Sequence, residues 1–157
     1  MSSFKININE LISQDFICIA IHTSLEDTKL AYLLNKNLNT NFEYVDSYIK
    51  VKNNYGESNF NHFIYDDTYN DLIWHLIDNQ AIIETETQSY NTLFDAFQSA
   101  SYIVPEFKKA DFILKIENTD HFFSIENITQ SLQNINNITM AYVIDLNKVK
   151  FKSNLIF

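Results

Sequence analysis

The order of its hydrophobic patterns constrains the fold of this chain more than any other feature. Residues 16–21 form a continuous apolar run, which is typical of a strand buried on both faces. Leu30, Leu34 and Leu38 then recur at intervals of four, the spacing that places apolar side chains on one face of a helix. The sequence therefore predicts a central strand followed by an amphipathic helix over residues 24–38.

The same succession of patterns returns in the second half of the chain. Residues 111–117 predict a strand, and residues 138–146 predict a closing strand. Between them, apolar residues at intervals of three and four predict a second helix with Ser124 as its N-cap. Residues 44–86 separate the two units and alternate strand-like runs with polar turns, as an antiparallel meander does.

These patterns predict one α+β domain over residues 1–157. A chain of 157 residues is long enough to bury a core without disulfides or metals. Both helices are expected on one face of an antiparallel-rich sheet, in a ferredoxin-like or ACT-type sandwich with a β-meander insert. Fold analogy of this kind implies no ligand.

Several shorter segments add local detail to this plan. Residues 4–8 alternate and predict a short strand, residues 9–14 a helical turn or loop, and residues 87–101 a short helix or packed loop. Thr23 and Glu26 have the spacing of a capping box and are expected to begin the first helix.

The charge of the chain argues against nucleic acid as a partner. Its formal net charge is −9, and all 11 basic residues are lysine. Phosphate neutralisation dominates nucleic-acid affinity, and the sequence lacks the guanidinium fork that reads phosphate or guanine bidentately. Glycine occurs once, so a Gly-rich phosphate loop is excluded as well.

The hydrophobic segments indicate a cytoplasmic protein with no membrane association. No apolar run approaches the roughly 18 residues that cross a bilayer, and residues 1–8 alternate instead of forming the apolar part of a secretory signal. Cys18 is the single cysteine, so no internal disulfide is expected. Its apolar neighbours predict a small buried core residue and not a nucleophile.

Residues 104–112 form the most specific motif in the sequence. Pro105, the single proline, and Glu106 precede a lysine pair, and Asp111 ends the run before a strand. Two carboxylates at the mouth of a strand suit an acid–base pair or a cation site. They also suit local structure, because proline opens a helical turn and a carboxylate stabilises the first N–H groups of that turn.

This run resembles the motif of the IPExxxVDY family of small bacterial proteins. The proline, the glutamate and the aspartate match, whereas Val104, Ala110 and Phe112 replace an isoleucine, a valine and a tyrosine. Residues 29–35 are similar to the family's first helix, and residues 154–157 resemble its usual ending. The resemblance implies no catalytic residue, and the missing hydroxyl at Phe112 argues against a role that needs a phenol there.

The histidines and the aspartates do not predict a metal site. His62 and His75 fall almost opposite each other if residues 58–77 form a hairpin, but a third ligand and the usual zinc spacings are missing. We interpret both as sheet-surface histidines. Asp66 and Asp67 lack the glycine and glutamate of an EF-hand loop and predict a turn. The sequence accordingly predicts neither a metal nor a cofactor.

Aromatic residues crowd the meander and are the best candidates for a binding surface. Tyr44, Phe60, Tyr65 and Trp74 belong to this group. In one interpretation they line a groove for an apolar ligand or a protein partner. In the other they fill both faces of the meander, one against the helices and one against residues 87–101.

The sequence contains no recognisable catalytic set. We therefore interpret the chain as a cytoplasmic, non-enzymatic module that binds or regulates an unknown protein or small molecule. One alternative is a small enzyme that uses Glu106 and Asp111 as acid and base. Another is a structural homodimer subunit, in which the apolar residues 154–157 dock on a second copy instead of on their own sheet.

Overall fold

The computed structural model describes residues 16–54, 56–84, 99–120 and 123–157. The strand expected over residues 4–8, the turn over residues 9–14 and all but the end of the 87–101 segment lie outside the described residues.

Ten strands and two α-helices make up the described part of the chain. The helices are α1 (Asp27–Leu38) and α2 (Ile125–Gln133). The strands are β1 (Phe16–Thr23), β2 (Glu43–Tyr44), β3 (Ile49–Asn53), β4 (Gly56–Phe60), β5 (His62–Asp67), β6 (Leu72–Asp78), β7 (Gln80–Glu84), β8 (Ala100–Tyr102), β9 (Phe112–Glu117) and β10 (Ile138–Val143). Short 3-10 turns lie at Pro105–Phe107, Leu146–Lys148 and Lys152–Leu155. Neither of the two described helices has the length and apolar character needed to cross a membrane.

The strands form two antiparallel sheets. The order is β10–β1–β9–β6–β5–β2 in the six-stranded sheet and β3–β4–β7–β8 in the four-stranded sheet. Strand β1 is internal and lies next to the edge strand, with Ile21 opposite Ala141 of β10 on one side and Phe112 of β9 on the other. The prediction of an α+β fold with an antiparallel-rich sheet is confirmed, whereas the ferredoxin-like or ACT-type plait stays a prediction.

The meander predicted over residues 44–86 is divided between the two sheets. Strand β2 joins the six-stranded sheet through β5, whereas β3 pairs with β4 in the other sheet. The first strand-like run of the meander, residues 44–51, is therefore two strands and not one. The chain bends at Asp46 and Ser47 and passes there from one sheet to the other.

Both faces of the six-stranded sheet are covered, which explains the continuous apolar run in β1. Ile19 belongs to the cluster that contains both helices, together with Leu30 of α1 and Leu132 of α2. Cys18, its neighbour, belongs to a second cluster with Phe60, because successive strand residues point to opposite faces. Both helices thus lie on one face, as predicted, and the four-stranded sheet contributes to the cover of the other.

Helix α1 begins later than the predicted capping box. Glu26 occupies the N-cap position and makes no side-chain capping bond. Thr23 Oγ1 instead accepts a hydrogen bond from the N–H of Leu25 and donates one to the carbonyl of Asn137. Thr23 therefore ties the end of β1 to the segment before β10. Ser124 takes its predicted N-cap position at α2, without a side-chain bond.

Cys18 provides a test of the double burial of β1. Its side chain is 0% exposed, and burial raises the pKa of the thiol to about 12. Because the thiolate is the reactive form, we expect Ellman's reagent to leave the folded protein unmodified and to react with the single thiol in guanidinium chloride. Rapid modification of the folded chain would show that the second cluster is open to solvent.

Candidate functional site

Asn79, between β6 and β7, holds the motif of residues 104–112 in place. Its side chain is 0% exposed. Its Nδ2 donates to the carbonyls of Phe107 and Ala110 at 3.0 and 2.9 Å, and its Oδ1 accepts from the N–H of Val104 at 3.1 Å. Two backbone hydrogen bonds of Asn79 reach the same part of the chain. The motif is therefore a folded element built around one buried amide.

Glu106 and Asp111 both bond to backbone, in different places. Glu106 Oε1 accepts from the N–H of Lys150 at 2.7 Å, and Asp111 Oδ2 accepts from the N–H of Thr23 at 2.8 Å. Pro105 opens the 3-10 turn that carries Glu106. Asp111 lines an open depression whose lining does not include Glu106. The structure thus gives each carboxylate a separate structural contact and does not bring the two together.

Glu106 offers a test of this structural assignment. Glu106→Gln retains an oxygen that accepts from the N–H of Lys150, whereas Glu106→Ala leaves that N–H without its partner. We expect the alanine variant to lose about 0.5–2 kcal/mol of unfolding free energy, as for loss of a capping group, and the glutamine variant to lose less. Urea denaturation measures both. Equal unfolding free energies for wild type and both variants would contradict a structural role of Glu106.

The predicted aromatic surface is not a single surface. Phe60 is fully buried in the second cluster, whereas Trp74 is buried on the helix side of the sheet. Tyr65 packs beside Trp74 with ring centroids 6.3 Å apart. Tyr44, on edge strand β2, is half exposed. The four residues therefore do not form one surface, although Tyr65 and Trp74 line one depression together.

A buried polar cluster occupies the face of the six-stranded sheet that points away from the helices. His62 on β5, His75 on β6 and Lys115 on β9 are 8%, 6% and 2% exposed. His75 and Lys115 stand opposite each other in the ladder between β6 and β9. Glu117 follows two residues later on the same face. The prediction of sheet-surface histidines is wrong, because neighbouring layers cover this face.

One carboxylate and two aromatic rings enclose the ammonium group of Lys115. Its Nζ forms an ion pair with Glu117. It also lies 4.9 Å from the ring centroid of Phe16 and 4.3 Å from that of Phe157. The ring faces attract the cation, and the carboxylate offsets part of its desolvation. The positive charge is therefore balanced inside the cluster.

Both imidazoles in the cluster are neutral at pH 7. Burial lowers the pKa of His75 to about 4, although the charge of Glu117 opposes this shift. Burial also lowers the pKa of His62, against a backbone hydrogen bond at Ser47. The two rings are stacked, with centroids 6.1 Å apart. A neutral imidazole offers one donor and one acceptor, so the His75 ring can bond to either kind of group, whereas His62 already uses one nitrogen at Ser47.

Several ring nitrogens of this pair have no hydrogen-bond partner in the described part of the chain. They are Nδ1 of His62 and both nitrogens of His75. His75 Nε2 lies 3.4 Å from Glu117 Oε1, which is longer than an ordinary hydrogen bond but close enough for the carboxylate to raise the pKa of the ring. Buried nitrogens of this kind are rare in folded proteins, and an ordered water, an ion, a ligand or a functional role accounts for them.

Both histidines line a cavity of about 480 Å³, which we call the histidine cavity. Strand β3 and the segment before it contribute one part of the lining, and residues 153–157 contribute another. The ring of Phe157 stands perpendicular to that of His75, with centroids 5.0 Å apart. Lys50 and Lys52 also line the cavity, and both are exposed. Apolar walls, buried imidazoles and nearby cations thus meet in one place.

Sequence reasoning missed the residues that organise these features. Lys115 and Glu117 alternate with apolar Leu114 and Ile116, a pattern that fits a solvated face as well as a buried polar one. Asn79 follows an aspartate and reads as part of a turn. Nothing local to either segment indicates what packs over it.

Among the described residues, no group of three His, Cys, Asp or Glu side chains is arranged to hold a metal ion.

No protein-family model, curated protein or solved structure matches this chain. Membership of the IPExxxVDY family therefore stays a prediction, and the function has to be argued from the geometry of the chain itself.

The neutral state of His75 predicts acid-sensitive stability. Its pKa is about 4 in the folded chain, against an ordinary value of 6.5, so between these values the unfolded chain binds a proton that the folded chain does not. The stabilising contribution is fully present above about pH 6.5 and is lost as the pH falls towards about 4. We expect the unfolding free energy of His75→Gln, measured by urea denaturation, to decrease less on acidification than that of wild type. The difference should be up to about 3 kcal/mol.

Asp78 supplies a control with the opposite sign. Burial raises the pKa of its carboxyl from 3.8 to about 6, so the folded chain binds this proton first and gains stability as the pH falls through that range. The unfolding free energy of Asp78→Asn should therefore decrease more steeply than that of wild type as the pH falls. Equal pH slopes for wild type and both variants would contradict the protonation states assigned here.

Proposed function

We propose that this chain is a non-enzymatic binding or regulatory module and that its ligand site is the histidine cavity. The observation that carries the proposal is that His62 and His75, two buried and neutral imidazoles with unpaired nitrogens, both line one cavity. A buried polar group without a partner costs roughly 1–3 kcal/mol. A polar molecule that enters the cavity and bonds to these rings offsets that cost.

The dimensions and the composition of the cavity support the same proposal. Its volume of about 480 Å³ falls within the roughly 300–1,000 Å³ of small-molecule sites, which combine apolar walls with a few convergent polar groups. The lining joins side chains such as Ile49 and Ile64 to the two histidines. We therefore propose a small molecule, and not a macromolecule, as the ligand of this cavity.

The acid–base enzyme has weaker support than the binding module. Glu106 and Asp111 each accept a backbone hydrogen bond at a different place, whereas an acid and a base have to meet at one substrate. A cytoplasmic location and a symmetric dimer stay predictions. With a net charge of −9, we expect no nucleic-acid partner.

Fragment screening by NMR tests the binding proposal directly. We expect small neutral or charged fragments to shift the amide resonances of residues that line the histidine cavity, such as Ser47, Ile64 and Phe157. His75→Gln should weaken these shifts, because it replaces an imidazole of the lining by a flexible amide. His22→Gln is the matched control, since His22 bonds to Tyr142 on another part of the six-stranded sheet.

Thermal melting of each variant distinguishes lost binding from lost folding. If no fragment shifts the lining residues of the folded wild type, the histidine cavity is not a ligand site and the proposal fails. Equal weakening by the His75 and His22 variants would also contradict it.

A further inference from the structure

We infer that the histidine cavity is selective for a small organic anion with an apolar body. The inference rests on the proposed function and adds the chemical class of its ligand. Charged residues lie near one side of the cavity, and apolar side chains form its wall.

The lining of the histidine cavity differs in charge from the rest of the chain. The formal net charge of the protein is −9, yet the cavity lining contains lysines and no aspartate or glutamate. Two other cavities of the described chain, of about 680 and 480 Å³, have carboxylates in their lining. Asp67 and Asp120 line the larger one, and Asp78 and Asp111 are among the lining residues of the other. An anion would therefore meet fewer opposing side-chain charges in the histidine cavity than in either of these two.

Among the side chains beside the cavity, Lys50 and Lys52 outnumber the carboxylate with which they pair. Both pair with the same carboxylate, Glu57, at 3.1 and 3.6 Å. Glu57 is not part of the cavity lining, whereas both lysines are. Two cations that share one anion retain a net attraction for a second anion. The anionic group of the ligand is therefore assigned to this side of the cavity.

The buried Lys115 does not take that role. Its charge is balanced by Glu117, and two aromatic rings stand beside its ammonium group. The imidazoles of His62 and His75 also line the cavity and have unpaired nitrogens. Because burial keeps both rings neutral, they add polar character to the lining without adding a charge.

The remaining lining favours an apolar body. Val45, Ile49, Ile64, Ile156 and Phe157 belong to it. Contact with these side chains removes apolar surface of a ligand from water, which is favourable in proportion to the area buried. A small hydrophilic anion such as acetate gains little from this wall, whereas an aryl carboxylate gains from both the wall and the lysines.

A set of matched probes separates charge from apolar contact. Benzoate carries both features, benzamide the ring without the charge, acetate the charge without the ring, and benzylammonium the ring with the opposite charge. NMR titration of the full chain at pH 7 and low salt should show benzoate as the tightest of the four at the cavity resonances. Its affinity should fall as salt is added, because the lysines are exposed.

Variants of the charged residues locate the anion. Lys52→Gln should weaken benzoate binding about two- to fivefold, the range expected for one exposed ion pair. Glu57→Gln should strengthen binding by a similar factor, since it removes the competing carboxylate. Lys36→Gln is the control, because Lys36 is exposed on α1, on the opposite side of the six-stranded sheet. Benzamide affinity should not change in any of the three.

The outcomes distinguish this inference from the proposed function. If benzamide or benzylammonium binds the cavity at least as tightly as benzoate, the cavity is a ligand site but the anion inference is wrong. Unchanged benzoate affinity in both Lys52→Gln and Glu57→Gln overturns it as well. If none of the four probes, and no fragment of the wider screen, shifts the cavity resonances, the proposed function fails together with the inference.

Discussion

The buried charge of Lys115 is the constraint around which the candidate site is organised. Strand β9 lies inside a sheet that is covered on both faces, so a lysine there needs a partner close by. Glu117 supplies the opposite charge, and the rings of Phe16 and Phe157 stand beside the ammonium group. Burial disfavours a proton on His75, whereas the charge of Glu117 opposes this effect and that of Lys115 adds to it. Burial therefore keeps the imidazole neutral, beside an ion pair whose two charges act on it in opposite directions.

Asn79 has the corresponding role for the motif of residues 104–112. Its side chain bonds to three backbone groups of that run, while Glu106 and Asp111 tie it to two other segments. The motif connects β8 to β9 and so fixes where β9, with Lys115, enters the sheet. In this account the motif supports the site, and the groups that contact a ligand lie on β3, β5, β6 and the last residues of the chain.

Periodicity predicted much of the fold, because the spacing of apolar residues reflects local geometry. Leu30 and Leu34 marked the buried face of α1 correctly, and residues 16–21 marked a strand buried on both faces. The division of the meander between two sheets was not predictable, since a strand pattern does not specify its pairing partner. The site was missed for the same reason. The local sequence of His62 and His75 is typical of surface residues. It does not show that residues 153–157 and β3 pack around them.

Imidazole nitrogen spectroscopy tests the central claim most directly. Long-range ¹H–¹⁵N spectra of the full chain report the protonation state of each histidine ring and its response to a ligand. We predict that His62 and His75 are neutral at pH 7, that His75 takes up a proton only near pH 4, and that benzoate shifts the ring nitrogens of both. Rings that are protonated at pH 7, or that do not respond while benzoate binds elsewhere, would contradict the assignment of this cavity as the ligand site.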